Sequence, residues 1–231
     1  MKLNHLFVIV LIAVFAITGC GKKSSQDSSK TEEKKDQTTS QEELKRNKED
    51  SIKQVQKDQS DKEQKIKDAL AEEKIVNDTL GQWAIDAEVS TTYGDENGTD
   101  KSHPYTKFQL IGKPDVENFR DDGRAWVSKD ADKGIEWCKV SFEKPVNATE
   151  VRIRQNCAPG AIIKVELIDT DGKSHTVWEG PDKTQYKENT ISYLFAKFER
   201  TPYKVKSVKI TLATNAVVGW NEIDAVQLVG N

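Results

Sequence analysis

Histidine, cysteine and methionine are scarce in this chain: three, three and one in 231 residues. His103 lies in a polar loop and His175 in the alternating stretch SHTVWEG, where it reads as a surface or packing residue. No HExxH, CxxC, GxSxG, glycine-rich phosphate loop or Cys–His nucleophile arrangement occurs, so the usual metal, redox and acyl-transfer sites are missing. No excess of basic charge is present either. The formal net charge is −3, which gives no footing for a nucleic-acid partner. The acid pairs Asp121-Asp122 and Asp169/Asp171 sit in turns, where Asp bonds its own backbone, rather than as a glycosidase pair. An enzyme is therefore not expected.

Long apolar runs are absent except at the start. Lys2 precedes an unbroken apolar run, Leu6 to Ile17, followed by Thr18-Gly19 and Cys20. The run is short of the roughly 20 residues that span a bilayer and has the parts of a secretory signal. Ile17-Thr18-Gly19-Cys20 resembles the lipobox of bacterial lipoproteins. The resemblance implies that residues 1–19 are a signal peptide, removed on export. It also implies that Cys20 takes a diacylglycerol, so that a lipid of the palmitate class holds the protein to a membrane. Localisation is then the cell envelope, on the extracytoplasmic side. Two or three acyl chains hold a protein stably where one does not.

Residues 22–79 contain no Phe, Trp, Tyr, Pro or Gly. The first part, Lys, Ser, Thr, Gln and acid only, buries too little apolar surface to offset its ordering entropy, which predicts disorder. From about Glu42 to Val76 good helix formers take over. Ile52, Val55, Ile66, Ala69 and Val76 fit a heptad, but Gln59, Lys62 and Glu73 interrupt its seam. Residues 20–80 thus read as a lipidated, charged tether, disordered and then helical.

All five Trp and all five Tyr fall within residues 83–231. Alternating stretches recur at 135–142, 148–157, 161–169, 174–180, 190–198, 205–214 and 222–230, separated by turn chemistry such as Ala158-Pro159-Gly160 and Asp171-Gly172. Many short strands without an amphipathic helix predict an all-β fold for residues 81–231, an antiparallel β-sandwich or jelly roll. The motifs GWNEIDAVQLVG (219–230), EWCKVSFEKPVNATEVRI (136–153), APGAIIKVELIDTDG (158–172), LIGKPDV (110–116) and Ala125-Trp126 resemble one family. It is the discoidin-related, galactose-binding-like sandwich that includes the pappalysin scarf domain. That fold hosts sugar binding, lipid binding, protein binding and architectural roles.

Cys138 and Cys157 depart from the family pattern. By strand parity both point inward, and antiparallel pairing around a turn near 145–148 would set them opposite each other. A disulfide in an exported domain is the expectation; two separate buried thiols are the alternative. The loop 112–126 is similar to the segment that binds structural Ca²⁺ in carbohydrate-binding relatives. That likeness implies Asp115, Asp122 and Glu222 as calcium ligands. The alternative is that Asp115 and Glu222 cap turns and pair with Arg or Lys. Trp220, Tyr93 and Tyr105 are loop aromatics suited to stacking on a sugar ring. The function expected is a membrane-anchored, non-catalytic interaction module that binds an envelope protein or serves architecture. The alternative is a carbohydrate-binding module for a surface or wall glycan.

Overall fold

A computed structural model describes residues 32–231, with side chains from residue 41 onward. The expected signal peptide, Cys20 and residues 20–31 of the tether lie outside the described residues. The chain divides into two units, up to Glu63 and Gln64–Asn231. In the first, helix α1 begins at Glu32 and runs to Val76 in the second. Helix therefore covers residues 32–41, where the composition predicted disorder. Its residues 41–63 are exposed throughout, with i,i+4 pairs such as Gln54 Nε2 donating to Asp58 at 2.7 Å. This is the solvated, charge-laced helix expected. No described helix is long and apolar enough to cross a membrane.

In the second unit the strands are β1 (Gly81–Trp83), β2 (Asp86–Val89), β3 (Ile135–Val146), β4 (Ala148–Cys157), β5 (Ile162–Asp169), β6 (Ser174–Glu179), β7 (Ser192–Lys197), β8 (Val205–Ala213) and β9 (Glu222–Gly230). They form two antiparallel sheets, in the orders β1-β9-β4-β7 and β2-β3-β8-β5-β6. The fold is an all-β sandwich, as the alternation predicted. Inward positions of both sheets supply the core: Phe142, Ile153, Ile162, Leu167, Ile210, Leu212 and Leu228 are fully buried. Each such side chain contributes about 1.5–3 kcal/mol of burial.

The expected disulfide is not formed: Cys138 and Cys157 are both free. β3 and β4 are consecutive but belong to different sheets. β3 continues through Pro145 to Val146, and β4 starts at Ala148 in the facing sheet, so no hairpin sets the cysteines opposite each other. Cys138 instead lies beside Val89 and Ile210. Parity also fails at Cys157, because the β4–β9 register shifts between Arg154 and Gln155 and again before Cys157. Cys157 is half-buried as a result. Burial pushes its thiol up to about 11.

The last turns of α1 belong to the sandwich unit, which begins at Gln64 rather than at residue 81. Arg154, on β4, lies with Nε 3.1 Å from Glu72 and donates from Nη1 to the Val116 carbonyl at 2.8 Å. The same nitrogen pairs with Asp224, which is 1% exposed. Tyr193 donates to Glu72 at 2.9 Å, Gln227 to the Ile75 carbonyl at 3.0 Å, and Arg152 pairs with Asp78 at 2.8 Å. These contacts are polar, so no apolar periodicity in the helix announced them.

Candidate functional site

Three loops are stitched together at one end of the sandwich. Trp126 and Ile223 exchange backbone hydrogen bonds at 2.9 and 3.0 Å, pinning the loop after Gly112 to the start of β9. Tyr93 N–H donates to the Val127 carbonyl at 3.1 Å and Tyr105 N–H to the Gly123 carbonyl at 2.8 Å. Thr92 Oγ1 donates to the Tyr105 carbonyl at 2.7 Å. The third loop is held by Gly219 N–H on Asp132 at 2.8 Å and by Asn221 Nδ2 on the Ala158 carbonyl at 2.8 Å. The approach of the first loop demands glycine at 94: a Cβ there would lie 2.1 Å from the Pro104 carbonyl oxygen.

This stitching brings Tyr93, Tyr105 and Trp220 together. Tyr93 meets Tyr105 edge to face at 5.3 Å between ring centroids, and Trp220 at 5.4 Å, a favourable aromatic geometry. The three rings, with Asp121, Val127 and Glu222, line a pocket of about 70 Å³. Tyr93 is 55% and Trp220 37% exposed, so ring surface is left open beside the pocket. Tyr105 takes a left-handed φ of 61°, a conformation costly for an aromatic residue and held by its neighbours. Its hydroxyl donates to Asp121 at 2.7 Å, and that bond raises the phenol above its ordinary range.

Glu222 forms the buried part of the lining. Oε2 accepts from Asn156 Nδ2 and, at 3.2 Å, from Asp122 N–H. Oε1 is buried and has no partner. Burial, reinforced by the neighbouring Asp121 carboxylate, pushes Glu222 up from an ordinary 4.5 to about 8. A carboxyl whose folded pKa is raised stabilises fully below its unfolded pKa, and that contribution is lost as pH rises through the folded pKa. Asp224, also raised by burial, ionises near 6, so the decline from about pH 6 to 8 belongs to Glu222. Glu222→Gln is expected to flatten the fall of the urea midpoint across that window. A fall equal to that of the wild type would contradict this account of Glu222.

The expected calcium trio does not converge. Asp122 is taken by Arg124, which donates from Nε to Oδ1 and from Nη2 to Oδ2, both at 2.9 Å, and by Arg120 at 3.0 Å. These bonds hold its carboxyl well below the usual range. Asp115 pairs with Lys101 at 2.9 Å and accepts no bond from the pocket side; its N–H donates to Asp224. Among the described residues no three His, Cys, Asp or Glu side chains group to hold a metal. The alternative of pairing with Lys or Arg describes Asp115 but not Glu222, which meets Asn156 and the Asp122 N–H instead; Asp122, which that alternative did not name, pairs with the arginines. Asp121, by contrast, was passed over as a turn acid. Its signal was the doubled Asp121-Asp122, of which only the second has arginines two residues away on both sides.

A groove of about 460 Å³ lies along Val89–Thr92, walled by Phe108 and Trp137. The ammonium of Lys209 sits 4.8 Å from the Trp137 ring centroid, so that aromatic face already has a partner. The pocket of three aromatics, with Tyr93 and Trp220 partly exposed, is the better ligand site.

The family model "Pappalysin-1, SD scarf domain, C-terminal" matches residues 72–231. The chain belongs to this family. The match begins at Glu72, the residue through which the helix meets Arg154, so the scarf domain here includes the end of α1. No match is found among the curated proteins. Among solved structures, a fucosidase from Ruminococcus gnavus is 16% identical with TM-score 0.43, covering 68% of this chain but only 26% of the fucosidase. Chitosan-binding module 1 from a Paenibacillus chitosanase/glucanase is 11% identical with TM-score 0.45, covering 64% and 96%. An F5/8 type C domain from Bacteroides fragilis is 15% identical with TM-score 0.45, covering 65% and 97%. These likenesses carry no function to the scarf domain described here.

Proposed function

We propose that this scarf domain is a carbohydrate-binding module, presented on the cell envelope by a lipid on Cys20 and by the helical tether. The observation that carries the reading is the convergence of Tyr93, Tyr105 and Trp220, from separate loops, on a pocket with carboxyls in its wall. A mainly apolar and aromatic lining with a few convergent polar groups is the general form of small-ligand sites. Tyr and Trp offer rigid, amphipathic surface at small entropic cost. A sugar has both an apolar ring face and hydroxyls, and this wall offers a partner to each. A partner protein or a purely architectural role calls instead for a flat polar end. The aromatic-walled pocket therefore favours the glycan alternative over the protein partner first expected.

The small pocket accommodates an edge or substituent of a sugar ring, with the ring lying against the open aromatic surface. Binding is then shallow and weak per site. A helix rises about 1.5 Å per residue, so α1 gives the module reach from a lipid surface toward wall or surface glycans. Catalysis forms no part of the proposal, and oligosaccharides incubated with the protein should keep their length.

The test is retention on immobilised wall or surface polysaccharide. Trp220→Ala is expected to lower affinity at least tenfold, as truncating an aromatic hot spot costs about 2 kcal/mol or more. Phe195→Ala, at a 45% exposed position on β7, should leave retention unchanged. Equal retention of wild type and Trp220→Ala would reject the site.

A further inference from the structure

The larger groove, of about 460 Å³, lies beside β2, an outer strand of the five-stranded sheet. Ser90 N–H bonds the Trp137 carbonyl at 2.9 Å, in the same register that sets Asp86 opposite Ser141. Backbone groups alternate along an antiparallel pair, so residues 86, 88 and 90 turn theirs to β3 and residues 87 and 89 turn theirs to the open edge. The Ala87 N–H is taken by Asp86 Oδ1 at 2.9 Å. The N–H and C=O of Val89 have no such partner among the described residues. Val89 lines the groove, together with Phe108 from the short 3-10 turn Lys107–Leu110. Three carboxylates, Glu88, Asp95 and Glu96, share that lining with one ammonium, Lys107. Lys107 lies over the Phe108 ring, 5.2 Å from its centroid. Lys139 pairs with Glu88 at 2.5 Å and Lys129 with Glu96 at 3.3 Å, but neither lysine lines the groove. Asp95 has no cation beside it among the described residues, and its carboxylate accepts the Asn97 N–H at 2.9 Å. A ligand in the groove therefore meets carboxylates and an open strand edge together.

We propose that this groove takes an extended, basic peptide segment of a partner protein, added as a strand to the edge of β2. The site is separate from the sugar pocket and does not rest on the sugar-binding reading. One peptide residue lies opposite Val89 and exchanges both backbone bonds with it, the bonds that give strand addition its affinity. Successive side chains of a strand point to opposite faces. Ala87 and Val89 face the core side of β2, Asp86 and Glu88 the outer side. The peptide residue opposite Val89 shares its side and is apolar. The residues before and after it share the side of Glu88 and are lysine or arginine. Their bonds to carboxylates are charge-assisted, and their stems cover apolar surface. An acidic peptide would set like charges against Glu88, Asp95 and Glu96. A sugar gains less here, because Lys209 already covers a face of Trp137. β2 is only four residues long, so the charge supplies much of the binding, and salt weakens it.

The experiment is a nitrogen–proton NMR titration, at low salt, of the full chain without its signal peptide. The probes are end-blocked heptapeptides with lysine at alternate positions and at both ends, the positions between being valine in one and proline in another. A third has glutamate for lysine and keeps the valines. The lysine–valine peptide should move the Trp137 indole and Val89 amide signals along one saturable curve and leave Trp220 still. At saturation it should slow deuterium exchange of the Val89 amide about tenfold. The glutamate–valine peptide, with like charges, and the lysine–proline peptide, without the amide donors, should each bind about tenfold more weakly. Asp95→Asn with Glu96→Gln, both at exposed positions, should weaken the lysine–valine peptide about fivefold. Asparagine at 95 keeps an acceptor for the Asn97 N–H, so the loop retains its cap. Lysine–proline binding as tight as lysine–valine is charge attraction alone and overturns strand addition. Equal binding of the glutamate–valine peptide overturns the charge selection. Binding that leaves Val89 exchange unslowed, or that moves Trp220 and not Trp137, places the peptide elsewhere and overturns the site. Val89 exchange that slows as the chain alone is concentrated makes a second copy the occupant and overturns the peptide. Absence of binding by every peptide overturns the proposal and leaves the sugar pocket untouched, since glycan retention does not use this groove.

Discussion

Methionine in place of Arg154 is expected to destabilise the scarf domain by about 3–5 kcal/mol, the usual cost of removing one partner from a buried ion pair. Asp224 is 1% exposed and would lose its only counter-ion, keeping just the 3.3 Å bond from Asp115 N–H. The Val116 carbonyl would lose its donor and Glu72 its ion-pair partner, keeping the bond from Tyr193. That loss is large beside the 5–15 kcal/mol that holds an ordinary domain together. Pairing Arg154→Met with Asp224→Leu is expected to recover most of it, because replacing both charges by apolar groups is often near neutral. Urea denaturation of both variants, beside wild type, reads the result. A single variant within about 1 kcal/mol of wild type would show that the pair is dispensable.

Incorporation of labelled palmitate in the producing cell should fall to background when Cys20 becomes serine, an all-or-none effect. The other two cysteines are the controls. Cys138 is fully buried and Cys157 half-buried, so Cys138→Ser and Cys157→Ser should leave the label in place. No described helix could anchor the chain in its stead. Equal labelling of wild type and Cys20→Ser would remove the lipid from the account and leave the sugar pocket untouched.

The longer strands were legible where inward apolar positions alternate with outward polar ones, as in Cys138, Val140 and Phe142 on β3, although β9 is buried along nearly its whole length. β1 and β2 were not, since three and four residues give no period to count. The disulfide expectation failed on two facts no alternation reveals. The chain changes sheets at Asn147, and the β4 bulges reset parity before Cys157. The helix end at Val76 was legible, but its docking on the sandwich was not, because Glu72, Asp78 and the Ile75 carbonyl make that contact with polar groups. At the site, Tyr93, Tyr105 and Trp220 stood out in the sequence as loop aromatics, but 127 residues separate the first from the last. Only the pairing of Trp126 with Ile223 and the backbone bond from Tyr93 to Val127 bring them to one place. Asp122 misled because Arg120 and Arg124, two residues away on either side, engage its carboxylate.

The five tryptophans allow the most direct measurement, since each indole N–H gives its own nitrogen–proton NMR signal. Trp220 lines the pocket, Trp126 is buried with its indole on the Thr91 carbonyl, Trp137 walls the larger groove and Trp178 borders a separate depression near β7. Titration with a recognised glycan oligomer should move the Trp220 signal along a saturable curve, with Trp83, Trp137 and Trp178 still. Saturable movement of Trp137 or Trp178 with Trp220 unmoved would contradict the account and place the ligand elsewhere on the sandwich.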